Sequence, residues 1–180
     1  MSTQNKPAQR WEDDIYDCFV RHNVSQIPYV PDAGHAHLIR RVHDNPHMRP
    51  IVLTTEEEGV ASSCGAWLGG QKSVLLMQSS GVGNTVNAIA SIVSSCQFPL
   101  FMIVTMRGQY GESNPWQMPM GQAVVPVLKS LGMHVFEVET DEEAAEAIEA
   151  GLKMAFVSKL VKLIRVLWRE TIPMLIMKIY

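Results

Sequence analysis

A seven-residue run at positions 100–106, apolar except for Thr105, places the strongest constraint on the fold of this chain. Runs of this kind are typical of parallel strands that helices cover on both faces. Shorter apolar runs of strand length alternate along the chain with segments of helical period, which predicts an α/β domain. The runs that we assign to strands are residues 24–30, 51–54, 73–77, 100–106, 135–138 and 174–180.

The segments between these strands have the spacing and the end signals of helices. Thr140 and Glu143, for example, form a capping box ahead of a helix that carries Ile148 and Leu152 on one face. Six strands separated by helices predict three layers, α/β/α, around a mostly parallel sheet in a single domain covering residues 1–180. Residues 158–170 do not fit this alternation, and we interpret them as an added cationic, amphipathic helix before the last strand.

The composition argues against several classes of protein. With 15 Lys and Arg against 18 Asp and Glu, the net charge is -3, whereas nucleic-acid binding usually needs a basic face. An uninterrupted run of about 20 apolar residues is absent, and the polar N-terminus is unlike a signal peptide, so we expect no membrane span and a cytoplasmic location. Cys18, Cys64 and Cys96 are widely spaced and are expected to be buried apolar residues.

Three loops follow predicted strands and should meet at one edge of the sheet, where α/β proteins bind ligands. They are residues 31–34, 55–59 and 78–84. In the third loop, Gly81 and Gly83 allow close backbone approach, and the next helix offers free N–H groups to an anion. Val86 stands where the dinucleotide-binding pattern has its third glycine, so that pattern is incomplete. A loop that only makes a tight turn explains the two glycines as well as an anion site does, and a generic nucleotide-binding site explains them less well.

An acidic run, Glu56 to Glu58, begins the helix after the second predicted strand. Acids at this position often only complement the helix dipole. Glu56, however, lies at the junction of strand and helix, where its side chain can point into the crevice and exchange a proton with a bound heterocycle. Glu57 and Glu58 are expected to be solvated or to pair with neighbours.

These segments, in this order, resemble parts of the thiamine-diphosphate enzymes. Residues 56–68, EEEGVASSCGAWL, resemble the glutamate-containing segment of their pyrimidine-binding domain, and the distance of nine residues to Gly65 selects Glu56. Residues 76–87, LMQSSGVGNTVN, resemble the next loop and helix of sulfopyruvate and phosphonopyruvate decarboxylases. Arg107-Gly108 ahead of QMPMG at 117–121 favours the sulfopyruvate decarboxylase α subunits, and the likeness spans about residues 15–150.

The resemblance implies one half of a thiamine-diphosphate-dependent 2-oxoacid decarboxylase, with sulfopyruvate as the expected substrate. Glu56 would donate a hydrogen bond to N1′ of the cofactor's aminopyrimidine. The family's Gly-Asp-Gly motif, which holds Mg²⁺ and the diphosphate, is absent, so a β subunit should supply it in an obligate oligomer with an apolar interface. Phosphonopyruvate or another 2-oxoacid, and a non-catalytic module that has kept the fold, remain open.

Other residues at the same edge are candidates for cofactor, substrate or proton-transfer roles, each with an ordinary alternative. Asp32 matches a position where related decarboxylases often have a polar residue near the substrate, although Pro-Asp also favours a turn. Gln78 and Asn84 are candidate cofactor contacts that could equally form loop hydrogen bonds or caps. Arg107 suits a sulfonate, phosphonate or carboxylate, unless it pairs with Glu112.

His35 and Gln117 complete the candidate substrate contacts, His35 because it is close to Asp32 in the chain. The four histidines between positions 35 and 47 do not predict a metal site. His43 and His47 have the spacing of ligands on a helix, but Pro46 lies between them and is expected to end that helix. We therefore expect these histidines at the surface and no metal ligands in this chain.

Overall fold

The computed structural model describes residues 10–138, 140–157 and 164–169. Its helices are α1 (Trp11–Arg21), α2 (Ala36–His43), α3 (Glu56–Leu68), α4 (Val82–Ala88), α5 (Met118–Ser130) and α6 (Asp141–Phe156). Its strands are β1 (Val24–Tyr29), β2 (Arg49–Val52), β3 (Lys72–Gln78), β4 (Phe101–Met106), β5 (His134–Glu137) and β6 (Ile164–Arg169). Short 3-10 turns at Ala33–His35, Ser79–Gly81 and Pro115–Gln117 precede α2, α4 and α5, and a π-helical segment, Ile89–Ser94, extends α4.

The strands form one sheet in the order β2-β1-β3-β4-β6-β5, and every neighbouring pair is parallel. From β1 the chain moves outward to β2 and then crosses back to β3, on the other side of β1. The strand order therefore reverses between β1 and β3. In open parallel sheets a ligand binds beyond the carboxyl ends of the strands at such a switch point.

The sheet is covered by helices on both faces, which confirms the three-layer prediction. Successive side chains of a strand point to opposite faces. In β3, Leu76 lies in the core formed with α1, α2 and α6, whereas Leu75 lies in the core formed with α3, α4 and α5. Gly59 lets α3 approach the sheet closely, because a Cβ there would lie 2.5 Å from Leu75 Cδ1 and 2.6 Å from Leu53 Cδ1.

The ends of α5 and α6 carry local signals, and the cap predicted at Thr140 is confirmed. Thr140 precedes α6, and its hydroxyl accepts a hydrogen bond from the Glu143 N–H at 3.4 Å. Gly132 follows α5 with φ of +74°, a backbone conformation that favours glycine after a helix end. Local capping chemistry therefore sets the bounds of these helices.

The helix predicted at 158–170 is wrong for residues 164–169, the part of it that the structure describes. Ile164–Arg169 form β6, which lies between β4 and β5 and pairs in parallel with both. A strand between two others satisfies its backbone on both sides, and the strand preference of Ile164 and Val166 agrees with that position. The predicted strand at 174–180 lies outside the described residues, and β2 begins and ends two residues earlier than predicted.

The cysteine prediction holds for two of the three residues. Cys18 and Cys64 are buried, and burial raises the pKa of each thiol to about 11. Cys96 is exposed, contrary to the prediction, because it lies where the chain turns between the π-helical segment and β4. In the described part of the chain, none of the helices has the length and apolar character needed to cross a membrane.

Candidate active site

The carboxyl ends of β1 to β4 bring the predicted site residues to one edge of the sheet. Asp32 follows β1, Glu56 follows β2, Gln78 ends β3 and Arg107 follows β4. Because β1 and β3 are neighbours, Asp32 and the loop after β3 flank the switch point. This edge is therefore the candidate active-site crevice.

Glu56 is the first residue of α3, and only 8% of it is exposed. Thr55 before it has an extended backbone, so the chain turns directly from loop into helix at Glu56. The Asn84 side-chain amide donates a hydrogen bond of 2.8 Å from Nδ2 to Glu56 Oε2. A carboxyl group held by one oxygen and largely shielded from water is well placed to exchange a proton with a ligand.

Gly81 makes room for the Glu56 carboxyl group. A Cβ at Gly81 would lie 2.1 Å from Glu56 Oε1, far inside van der Waals contact. The φ of Gly81 is -74°, which any residue adopts, so close approach rather than a tight turn requires glycine here. At Gly83, by contrast, a Cβ would meet nothing closer than Met120 Sδ at 3.4 Å.

The other two acids of the run behave as expected. Glu57 is exposed to solvent, and Glu58 is exposed but accepts a hydrogen bond of 2.9 Å at Oε2 from the Thr54 N–H. Glu58 therefore pairs with the loop that precedes its own helix. Of the three acids, only Glu56 is buried.

Asp32 is more than a turn residue, because its carboxyl group contacts two other elements of the site. Thr105 Oγ1, on β4, donates a hydrogen bond to Asp32 Oδ2, and His35 Nδ1 lies 3.4 Å from the same oxygen. Burial raises the pKa of Asp32, but His35, Thr105 and the backbone of Gly34 outweigh burial and leave this pKa below its ordinary value. The carboxylate form is therefore favoured.

Thr105 is a site residue that sequence reasoning missed. Its side chain is completely buried in the central strand β4. The available signal was its hydroxyl, the one polar side chain in an otherwise apolar run. A buried hydroxyl needs a hydrogen-bond partner, and Asp32 supplies it from the neighbouring loop.

The loop after β3 uses its polar residues mainly for its own structure. Gln78 Nε2 donates a hydrogen bond of 2.9 Å to Ser80 Oγ, the loop contact given above as its alternative role. Ser79 is buried, and its hydroxyl accepts a hydrogen bond of 3.0 Å from the Arg107 N–H. Ser79 thus ties the loops after β3 and β4 together.

Arg107 forms the ion pair with Glu112 that was its alternative role. Nε and Nη2 of Arg107 lie 2.8 Å and 2.7 Å from the two carboxylate oxygens of Glu112. The same carboxylate accepts hydrogen bonds from the N–H groups of Gly108 at 3.0 Å and Asn114 at 2.9 Å. The Arg107 hydrogen bonds and these two backbone bonds hold the pKa of Glu112 well below its usual range.

Two glycines pack this loop against the start of α5. Gly108 has φ of +73°, and a Cβ there would lie 2.2 Å from the carbonyl oxygen of Gln117. A Cβ at Gly121 would lie 2.0 Å from the carbonyl oxygen of Arg107. The backbone at Arg107-Gly108 therefore lies directly against the backbone at the start of α5, and glycine at 108 and 121 permits this contact. Gln117 is half-buried beside it.

The histidines do not form a metal site. His35 is completely buried, so the prediction of a surface position is wrong for it, although it does lie close to Asp32. His37 Nε2 lies 3.0 Å from Asp13 Oδ1, and His43 and His47 are exposed. Among the described residues, no group of three or more His, Cys, Asp or Glu could hold a metal ion.

The chain is similar in sequence to known decarboxylases. No protein-family model matches the chain. Sulfopyruvate decarboxylase subunit alpha of Methanococcus maripaludis is 35% identical over 141 residues, which are 78% of this chain and 84% of that protein. Phosphonopyruvate decarboxylase of Streptomyces viridochromogenes is 36% identical over 91 residues, which are 51% of this chain and 23% of that protein.

A solved structure shares the fold. The 2-oxoglutarate:ferredoxin oxidoreductase of Magnetococcus marinus matches 94% of this chain with a TM-score of 0.72 at 13% sequence identity. The matched part is 30% of the oxidoreductase chain. At this identity the likeness shows a common architecture, in agreement with the predicted α/β/α fold.

Proposed function

Because the chain belongs to the family of sulfopyruvate decarboxylase α subunits, we propose that it is the α subunit of a thiamine-diphosphate-dependent decarboxylase that converts sulfopyruvate to sulfoacetaldehyde and CO₂. The observation that carries this proposal is the Glu56 carboxyl group, shielded from water, in contact with Gly81 and held by Asn84. The resemblance to thiamine-diphosphate enzymes assigns such a glutamate to the pyrimidine end of the cofactor.

The residues present fit the aminopyrimidine of the cofactor. Asn84 holds Oε2 of Glu56 and Gly81 gives room to Oε1, so we assign Oε1 to N1′ of the ring. When bound, thiamine diphosphate supplies the electron sink for the loss of CO₂ from a 2-oxoacid. Glu56 holds the proton at N1′ and thereby selects the tautomer of the aminopyrimidine, and burial of its carboxyl group excludes competing water.

We assign the ligands of Mg²⁺ and of the diphosphate to a β subunit. The sequence has no Gly-Asp-Gly, and the name "subunit alpha" of the relative supports a partner chain. For the contact surface we propose the loop and helix start at 115–120, where Trp116 is 72% exposed and Pro119 is also exposed. An exposed tryptophan is a common anchor of protein interfaces.

We propose that the substrate lies between the ends of β1 and β4. Asp32 is the acid-base candidate at the switch point, and Arg107 and Gln117 are the candidates for the sulfonate. Glu112 engages Nε and Nη2, so a sulfonate would bind as a second anion beside Glu112.

Phosphonopyruvate is the second candidate substrate. The similarity to a phosphonopyruvate decarboxylase over 51% of this chain favours it. Both substrates are 2-oxoacids that carry a second anionic group, so the same crevice could serve either one. Their relative kcat/KM values with the reconstituted enzyme decide between them.

The decisive experiment measures CO₂ release from sulfopyruvate in the presence of thiamine diphosphate and Mg²⁺. The chain is assayed alone and together with a co-expressed β subunit that carries Gly-Asp-Gly. We expect activity only in the mixture. Glu56→Gln should lower kcat by about 10²–10⁴-fold, because it removes a positioned proton donor. The exposed neighbour Glu57 provides the matched control, and Glu57→Gln should retain wild-type activity.

Two outcomes would change the proposal in different ways. A complex that binds thiamine diphosphate but decarboxylates only phosphonopyruvate would keep the enzyme class and replace the substrate. If the chain neither associates with such a subunit nor binds the cofactor in its company, it is a non-catalytic module that has kept the fold.

A further inference from the structure

His35 is a buried polar residue whose position the fold alone does not explain. Its side chain is completely buried, and neither Nδ1 nor Nε2 has a hydrogen-bond partner of good geometry among the described residues. Buried polar atoms without partners are uncommon and destabilise the folded state. An apolar side chain at position 35 would avoid this cost, so the imidazole at this place needs a reason other than packing.

The imidazole faces the Asp32 carboxylate. His35 Nδ1 lies 3.4 Å from Asp32 Oδ2, and the two side chains are 0% and 6% exposed. The 3-10 turn Ala33–His35 between β1 and α2 produces this contact, because such a turn brings residues three apart onto one side. The pair is therefore built into the connection that follows β1 at the switch point.

A second element holds the same oxygen of Asp32. Thr105 Oγ1 donates its hydrogen bond to Oδ2 from the buried strand β4. His35 and Thr105 thus meet on one oxygen of Asp32, Oδ1 is engaged by neither of them, and the backbone of Gly34 is the third group bonded to this carboxylate. Two independent elements, the turn after β1 and the strand β4, fix the orientation of one carboxylate.

We propose that His35 is a positioning residue that acts through Asp32. With its hydrogen on Nδ1 facing Oδ2, and together with Thr105, it fixes the Asp32 carboxylate so that Oδ1 accepts a hydrogen bond from the bound substrate. The ring itself is buried, so His35 does not touch the substrate. The substrate part of this inference rests on the proposed function, whereas the pairing of His35 with Asp32 does not.

The pairing is tested on the full-length chain without any assay of activity. Long-range ¹H–¹⁵N spectra of ¹⁵N-histidine-labelled protein distinguish a ring nitrogen that carries hydrogen from one that does not. The His35 signal is assigned by its absence from His35→Asn. We expect Nδ1 of His35 to carry hydrogen and its signals to shift in Asp32→Asn. A ring with hydrogen on Nε2 alone, or one unaffected by Asp32→Asn, would overturn the proposal.

The positioning role is tested by kinetics of the reconstituted complex with sulfopyruvate. His35→Leu fills the same space without an N–H group, and His35→Asn places an amide N–H close to the position of Nδ1. We expect His35→Leu to lower kcat by about ten- to a hundredfold, the usual effect of losing a hydrogen bond to a charged group, with little change in KM. His35→Asn should restore most of kcat.

These results separate the inference from the proposed function. An active wild-type complex in which His35→Leu is fully active, or in which His35→Asn is as impaired as His35→Leu, overturns the positioning role and leaves the function intact. A wild-type complex that is inert toward every 2-oxoacid overturns the function, and the histidine spectra still decide the pairing. If His35→Leu fails to fold, the comparison of wild type with His35→Asn and the spectra remain decisive.

Discussion

Glu56 and Glu112 are two shielded carboxylates at the same edge of the sheet, and their surroundings differ sharply. Glu112 has a completely buried side chain that accepts four hydrogen bonds, two from Arg107 and one each from the N–H groups of Gly108 and Asn114. Glu56 is 8% exposed and accepts one side-chain hydrogen bond within the described residues, from Asn84. One carboxylate is saturated, and the other keeps an oxygen available.

The difference indicates which buried acid is structural and which is chemical. A carboxylate has about four lone-pair sites, so Glu112 has none left for a ligand. Its pKa, held below the usual range by Arg107 and the two backbone bonds, keeps it ionised and inactive in proton transfer at neutral pH. Burial alone would make both Glu56 and Glu112 candidates for proton transfer. The number of hydrogen bonds that each carboxylate accepts distinguishes the structural acid from the reactive one.

Among substitutions of the residues around Glu56, the largest effect should come from filling the space that its Oε1 occupies. Gly81→Ala places a methyl group 2.1 Å from the original position of Glu56 Oε1, so the carboxyl group must move. A displacement of about 1 Å at a reacting group can cost about 100-fold in rate, and we expect that loss in kcat. The measurement is steady-state CO₂ release by the reconstituted complex.

Gly83→Ala is the matched control in the same loop. A Cβ there meets only Met120 Sδ at 3.4 Å, an ordinary contact, and activity should stay near that of the wild type. Equal losses in both variants would show that the loop needs glycine for its backbone rather than for the Glu56 carboxyl group.

A smaller effect should follow when Glu56 loses its one side-chain partner. Asn84→Ala removes the 2.8 Å hydrogen bond to Oε2 and leaves the carboxyl group less well oriented. We expect kcat to fall by about tenfold, the lower range for a hydrogen bond to a charged group. Single-turnover CO₂ release separates this chemical effect from product release. Unchanged kinetics would mean that Gly81 and the start of α3 are sufficient to place Glu56.

The smallest effect concerns Glu112, and it should appear in stability. Its pKa is lower in the folded state than the ordinary value of about 4.3. Glu112 therefore stabilises the fold fully above that value, and the stabilisation is lost as the pH falls through the lower folded-state pKa. We expect the midpoint of urea unfolding to be lower for Glu112→Gln than for wild type at pH 7, and the gap to narrow below about pH 4.

Glu57→Gln, at an exposed position, controls for the loss of one negative charge and should leave the unfolding midpoint unchanged. A gap between wild type and Glu112→Gln that stays constant from pH 7 to pH 3 would contradict the assignment of Glu112 as an ionised structural acid.

Much of this molecule was predictable because its signals are local. Strand-length apolar runs and helix end signals such as Thr140 with Glu143 located five of the six described strands and the helices that follow them. Glu56 was selected by its position at a strand-to-helix junction and by its distance to Gly65. Both kinds of signal depend on residues that are near each other in the chain, so no knowledge of the tertiary structure is needed to interpret them.

The residues that were missed depend on contacts between distant segments. Thr105 joins the site through Asp32, 73 residues away. Arg107 had two possible partners on sequence grounds, and only the structure shows that it forms the ion pair with Glu112. His35 was expected at the surface because histidine usually lies there, but the turn after β1 carries it into the interior.

By itself, the sequence determined the α/β class, the element order up to α6 and the edge of the sheet where the crevice lies, because these follow from hydrophobic period and capping residues. Only the tertiary structure decided that residues 164–169 pair as a strand between β4 and β5, and that Gly81 rather than Gly83 lies in close contact with the Glu56 carboxyl group. Strand pairing and close approach depend on what lies opposite a residue in space, and local sequence does not specify that.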